Sequence, residues 1–348
     1  MQKRRKGCGK VTATTIRRRL DLARALARAA LHHTPMLALA PALVLVPVLV
    51  AATLVPPRAT AAAGFGFMEP FGFADARLMG MGYSHVAVWD APSPLYSNPA
   101  SFGLSREELV LTFGAGWGDG DEADNFKFAA ISDVDRGAGA GGFAWGRYSW
   151  HEGGALFSGN TFNYSVGKRF ADWGALGMGV RYLRGGATGT ATGAGAWAED
   201  PEGMPRWRGL ATDAGLMLKQ SAVSFGVVAR DITITRLAFD DGTTVTVRPS
   251  YSAGLSLRPS DRAVVAIDAH GVAPDEGGHE VYTGGFEGWL TPHLALRGGV
   301  IVGDGVDPEA RAYTGGIGLR FGDFEMSYAL LTSEEQVKKQ CITLTRRF

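Results

Sequence analysis

The chain has 348 residues and a formal net charge of +1, the length of two ordinary soluble domains or one large barrel. Such balance gives no pull toward nucleic acid or an acidic partner. Glycine, at 49 residues, is about twice its usual share; with no collagen-like period, the excess points to close backbone packing and many turns. Of the two cysteines, Cys8 falls in a basic leader and Cys341 stands alone in the remainder, so no internal disulfide is expected and neither redox compartment is favoured.

Residues 1–63 read as a separate object. Lys3, Arg4, Arg5, Lys6, Lys10, Arg17, Arg18, Arg19, Arg24 and Arg28 face a single acid, Asp21, and an apolar run over 36–55 ends at Pro56 and Pro57 before the tract Ala61, Ala62, Ala63. A basic start, an apolar middle and a small-residue exit are what a cleaved secretory signal needs. The alternative is a retained membrane span, for which roughly 20 apolar residues suffice. Pro41 and Pro47 weaken that span.

Residues 74–103 follow with Gly80, Met81, Gly82, then Val86, Ala87, Val88, Trp89, Asp90, and finally Asn98, Pro99, Ala100. Glycines and Pro92, Pro94 and Pro99 interrupt each apolar run, so the stretch reads as compact and bent rather than as a helix or strand. From Leu109 onward the pattern is two-residue alternation. Leu109, Leu111, Phe113 and Ala115 share one face, Leu176, Met178, Val180 and Tyr182 another, and Tyr313, Ile317, Leu319 and Phe321 a third. The opposite faces are small, polar or charged. About fourteen strands of about 8 to 11 residues emerge, long enough to cross a bilayer at a tilt.

Connections of two classes take turns. Short ones fall at 169–173, 219–221, 259–261, 290–292 and 321–323; longer ones at 117–123, 149–155, 185–206, 231–249, 271–279, 302–310 and 332–339. That alternation is the pattern of an outer-membrane barrel, with tight periplasmic turns and longer outer loops. Trp117, Trp145, Tyr148, Trp150, Trp173, Tyr182, Trp207, Tyr282, Trp289 and Tyr328 lie mostly near strand ends, as an interfacial girdle requires. The last strand carries Ile342, Leu344 and Phe348 on one face with Arg346 among them, a charge tolerable only at the membrane rim. Its terminal Phe348 resembles the signal by which bacterial barrels are recognised for assembly.

The run Gly80-Met81-Gly82, the segment from Val86 to Asp90 and the signature Asn98-Pro99-Ala100 resemble the N-terminal hatch of the fatty-acid-transporter-like (FadL-like) outer-membrane barrels, and within them the PorV/PorQ-type proteins. Strand-turn phrases around 167–183, 253–262, 288–298 and 318–328 are similar as well. The resemblance implies a segment folded inside the barrel as a plug, with Gly80, Gly82, Asp90, Asn98, Pro99 and Ala100 as its motif residues. The expected fold is all-β: a transmembrane antiparallel β-barrel of about fourteen strands with an N-terminal hatch in its lumen. The division is 1–63 leader, 64–107 hatch and 108–348 barrel.

Catalytic chemistry finds no foothold. His85, His151, His270, His279 and His293 are scattered with no Ser/His/Asp arrangement, which suits solvated or lumen-lining histidines, and neither an enzyme activity nor a cofactor or metal is expected. The carboxylates Asp119, Asp121, Glu122 and Asp124 lack the Gly and terminal Glu of a calcium loop and read as a solvated loop. Lys127, Arg181, Arg258, Asp268, Glu287, Arg297 and Arg320 are expected to face inward and pair structurally, and Cys341 to fill an inward strand position. Asn98 before Pro99 suits a turn, and Asp90 suits a cap or a lumen arginine. The residues fit a rigid plug and a hinge alike.

Two functions are consistent with this reading, beside a barrel with no transport role. Resemblance to PorV/PorQ-type proteins implies an interaction component of protein secretion or surface attachment, holding secreted passenger proteins. Resemblance to the wider family implies a passive channel for hydrophobic small molecules. Glycine-rich, charged inward faces and the modest length left after cleavage favour the first. Partners expected in either case are outer-membrane lipid and the barrel-assembly machinery, with no nucleic acid.

Overall fold

In a computed structural model of the chain, described for residues 75–348 apart from 91–92, 94–95, 107, 119–124, 136–138, 153–154, 191–205, 234, 240–243, 248, 272–280, 304–310 and 334–335, sixteen strands follow two short helices. The helices are α1 (Ala76–Gly80) and α2 (Ser101–Leu104). The strands are β1 (Glu108–Gly118), β2 (Asn125–Asp135), β3 (Gly139–Glu152), β4 (Ala155–Ala171), β5 (Gly174–Thr190), β6 (Arg206–Gln220), β7 (Val223–Arg230), β8 (Thr235–Phe239), β9 (Thr244–Val247), β10 (Ser250–Ser260), β11 (Ala263–His270), β12 (Val281–Thr291), β13 (Leu294–Gly303), β14 (Ala312–Phe321), β15 (Phe324–Ser333) and β16 (Gln336–Arg347). The predicted leader and the acidic loop over 119–124 lie outside the described residues.

Each strand pairs antiparallel with its neighbour in sequence, except that β7 pairs with β10. The sheet closes where β1 meets β16, in a register running from Val110 opposite Arg347 to Gly118 opposite Lys339. Fourteen strands form the ring, and β8 and β9 make a hairpin outside it, attached to the upper end of β6 through Trp207 and Phe239. Closure removes every unpaired edge, which a sheet in lipid requires. Tight turns at 172–173, 221–222, 261–262, 292–293 and 322–323 all fall at one end, with Gly322 and Ser221 in left-handed backbone. In barrels of this class that end faces the periplasm.

The two faces sort as the alternation demands. Phe113, Tyr164, Leu176, Met178, Ile267 and Tyr313 are exposed on the outside, an apolar belt far larger than a soluble surface carries and suited to lipid. Inward positions hold Ser165, Asp213, Ser224, Ser256, Asp268, Thr283, Glu287 and Thr343, all buried.

Several expectations need correction. The strands from β3 to β6 run to 14, 17, 17 and 15 residues, longer than a bilayer needs, because their ladders continue beyond the apolar belt. The loop expected over 149–155 is therefore mostly strand, and the one over 231–249 contains the β8–β9 hairpin. Lys127 is exposed between the inward Phe126 and Phe128, so it lines no lumen. Tyr148 and Trp207 point inward and are buried, leaving Trp117, Trp173, Tyr182 and Tyr282 as outward members of the girdle. The bent segment, expected to be free of helix, forms α1 because Asp75 caps it, accepting from Leu78 N at 2.7 Å. Gly82 and Tyr83, both in left-handed backbone, then turn the chain back.

Candidate functional site

The described part of the hatch, residues 75–106, lies in the lumen, and its backbone touches the wall directly because the wall there has no side chains. A Cβ on Gly285 or Gly299 would strike the backbone of Met81 and Gly82; one on Gly226, that of Val86; one on Gly167 or Gly177, that of Pro99. A row of inward glycines thus forms a seat for the plug, and this accounts for part of the glycine excess.

Polar side chains then fix the plug's register. Asn98 donates through Nδ2 to Val86 O at 3.0 Å within the hatch and to Leu216 O at 3.1 Å in the wall, while its Oδ1 accepts from Ala100 N at 3.0 Å. Ala87 O accepts from Ser224 and Ser256, and Gly80 O from Thr314. Ala76 N donates to Thr343 Oγ1 at 2.9 Å. Gly80, Gly82, Asn98, Pro99 and Ala100 are therefore all contact points between plug and wall, and each requires a small or amide-bearing residue for a stated steric or hydrogen-bonding reason.

Asp90 belongs to an ionic chain across the lumen. It pairs with Arg258 at 2.6 Å and Arg77 at 3.4 Å. Arg77 grips Glu287 with two hydrogen bonds of 2.8 Å. Glu287 also takes Arg297 at 2.7 Å, and Arg297 reaches Glu325 at 3.1 Å, where Arg320 and Arg347 join at 2.9 and 3.0 Å. Bidentate arginine-carboxylate geometry repays desolvation only when both groups are this fully bonded. On the opposite wall Arg181 holds Asp213 at 2.9 Å and Asp231 at 3.0 Å. Five of the charges expected to pair inward, Arg181, Arg258, Glu287, Arg297 and Arg320, do so.

Two histidines expected to be scattered stand together. His85 and His270 stack with ring centroids 5.8 Å apart, and Asp268, which accepts from His85 N and Val86 N, lies 3.7 Å from His270 Nε2. The nitrogens of His85 face Tyr83 O at 2.5 Å and Tyr96 O at 2.9 Å. Burial, with Arg230 nearby, nonetheless holds its imidazole down at about 4. Sequence reasoning missed this pair because 185 residues of chain separate its members and only barrel closure brings them together. Cys341 is buried, as its inward position predicts.

Above the plug the lumen is apolar. Phe126, Phe128, Tyr148, Leu183 and Trp207 from the wall cluster with Leu78, Met79, Tyr83 and Tyr96 of the hatch. The expectation of uniformly glycine-rich, charged inward faces therefore holds only for the lower part. A groove of about 980 Å³ opens beside the plug. It is lined by the outward side chains of Tyr164, Leu176 and Met178, by Gly141, Gly167 and Gly177, and by Phe102 and Gly103 of the hatch. A residue set that spans both faces of the wall is one that strand alternation alone does not reveal. At the chain's end Phe348 N donates to Leu109 O at 2.9 Å, finishing the closing seam, and the Arg346 guanidinium lies over the Phe348 ring at 4.2 Å, a rim placement that suits its charge.

An apolar belt around a closed, plugged fourteen-strand barrel defines the class: an outer-membrane β-barrel protein of the Gram-negative type. Within that class the fold is the FadL type. No protein-family model matches the chain, and no curated protein matches it in sequence. Among solved structures it is similar to the Pseudomonas putida toluene transporter TodX (12% identity over 79% of this chain and 96% of that one, TM-score 0.52). The same holds for the monoaromatic hydrocarbon channel CymD (12%, 78% and 96%, TM-score 0.58) and for a Pseudomonas aeruginosa FadL homologue (11%, 79% and 98%, TM-score 0.55).

Proposed function

We propose that the protein is a passive outer-membrane channel for hydrophobic small molecules, in the size range of monoaromatic hydrocarbons. The observation that carries this reading is the groove of about 980 Å³ beside the plug, because it puts lipid-facing apolar side chains and the hatch residue Phe102 on one continuous surface. The apolar lining above the plug supports it, as does the fold shared with a toluene transporter and a monoaromatic hydrocarbon channel. The secretion role has no such support among the described residues. On the same reading 1–63 is a cleaved leader, 64–107 the hatch and 108–348 the barrel, with Phe348 serving assembly and outer-membrane lipid as the surroundings.

The test is uptake of radiolabelled toluene by a Gram-negative host that lacks such channels and expresses this chain. Uptake is expected to rise above the barrel-free control and to fall again in Met178→Trp, which fills the groove from outside without touching the plug. Uptake equal to the control, with secreted proteins sharing one C-terminal domain co-purifying from solubilised membranes, would replace the channel with the secretion role.

A further inference from the structure

A second cavity, of about 780 Å³, opens at the short-turn mouth of the lumen, and its lining is cationic. Arg106 at the end of the hatch, Arg169 on β4, Lys219 on β6 and Arg258 on β10 surround Trp89 and Leu104. Two of these cations share one ring: Lys219 Nζ stands 3.4 Å above the Trp89 centroid and the Arg258 guanidinium carbon 5.2 Å from it. The negative charge available to them is scant. Asp90 answers Arg258 but is shared with Arg77. Arg169 meets only the exposed Asp172, at 3.7 Å, a pair that water and salt screen. Lys219 and Arg106 have no carboxylate partner among the described residues, and Arg258 Nε is buried with no hydrogen-bond partner among them.

Like charges gathered in a half-enclosed space repel one another more than they would in open water, and a buried guanidinium N–H left unbonded carries its full desolvation cost. An oxyanion removes both penalties at once, since its oxygens accept from several donors in charge-assisted bonds. A plain hydrocarbon removes neither. The apolar share of the lining, Leu104 and the edge of Trp89, leaves room for a small carbon body beside the charged head.

We propose that this mouth is a binding site for a small organic anion, a carboxylate or phosphate monoester, held by Lys219, Arg106, Arg169 and Arg258 Nε. A ligand there bridges three wall strands and the last residues of the hatch. The inference does not depend on the channel reading, because it concerns binding to the folded barrel and not passage through it.

Titration calorimetry of the folded full-length barrel in zwitterionic detergent, with benzoate and with phenyl phosphate, tests it. Saturable 1:1 binding of at least one probe is expected, fading with added salt and weakening by about tenfold in Lys219→Gln. Arg106→Gln is expected to weaken it similarly. Neither residue has an acid partner, so the thermal midpoint of both variants should match that of the parent and exclude misfolding as the cause. Preference for one probe assigns the head group. Absence of saturable binding with both probes, or unchanged affinity in Lys219→Gln and Arg106→Gln, overturns the proposal.

Discussion

At the scale of single residues, His85 couples the plug's stability to pH. Its folded value of about 4 lies below the ordinary 6.5, because burial disfavours the cation. Between those values the unfolded chain binds more protons than the folded one, so stability rises with pH across the window. It is full above about 6.5 and declines steadily as pH falls toward about 4. Unfolding midpoints measured from pH 4 to 7 should show this slope, and His85→Gln should flatten it while leaving the Asp268 contact with the hatch backbone in place. Asn98 illustrates the opposite strategy. Its amide carries no charge, is never titrated, and spends both its donor and acceptor capacity on the junction of hatch and wall.

Among elements, the seat between glycine-bearing strands and the hatch is the contact most sensitive to volume. Gly285→Ala places a methyl on Met81 O, and Gly177→Ala places one on the Pro99 carbonyl. Both meet backbone, which cannot swing aside as a flexible side chain does. Each is expected to destabilise the plugged state by about 1–3 kcal/mol and to expose the hatch to protease in intact detergent-solubilised barrels. Gly315→Ala on neighbouring β14 is the control, since nothing lies within 4 Å of its added methyl. Equal protease resistance in all three variants would remove the seat from the account. The same reasoning explains α1 and α2: a helix of five residues and one of four are too short to persist alone, and they survive because Asp75 caps one and the wall encloses both.

For the molecule as a whole, the ionic chain and the plug together decide what the lumen passes. With Asp90, Glu287 and Glu325 bonded to Arg77, Arg258, Arg297, Arg320 and Arg347, the lower lumen is closed to ions by packed, paired charge. Deleting residues 64–106 removes Arg77 and Asp90 but leaves the wall pairs of Glu287 and Glu325 with Arg297, so the barrel keeps its own charge balance. In planar bilayers the full chain is expected to conduct little, and the deletion variant to show a large, steady increase in ion current through the polar lumen. Equal conductance would mean that the hatch does not seal the barrel.

Strand number, the side on which each residue of β1, β5 and β14 points, and the barrel's inner and outer faces were set by the sequence itself. A period of two is a local property, and the solvent on each side selects which side chains occupy it. Gly80, Gly82, Asn98 and Pro99 were likewise legible as a bent, glycine-interrupted segment. Which wall glycines receive them was not, nor was the meeting of His85 with His270, of Arg77 with Glu287, or of Lys219 with Trp89. Those partners lie far apart in the chain, and only closure of β1 on β16 and the docking of the hatch fix their distances. The inward turn of Tyr148 and Trp207, and the groove spanning both faces of β4 and β5, were also decided there. Packing around a closed ring, not the pattern along any one strand, settles where the lumen is apolar and where it is charged.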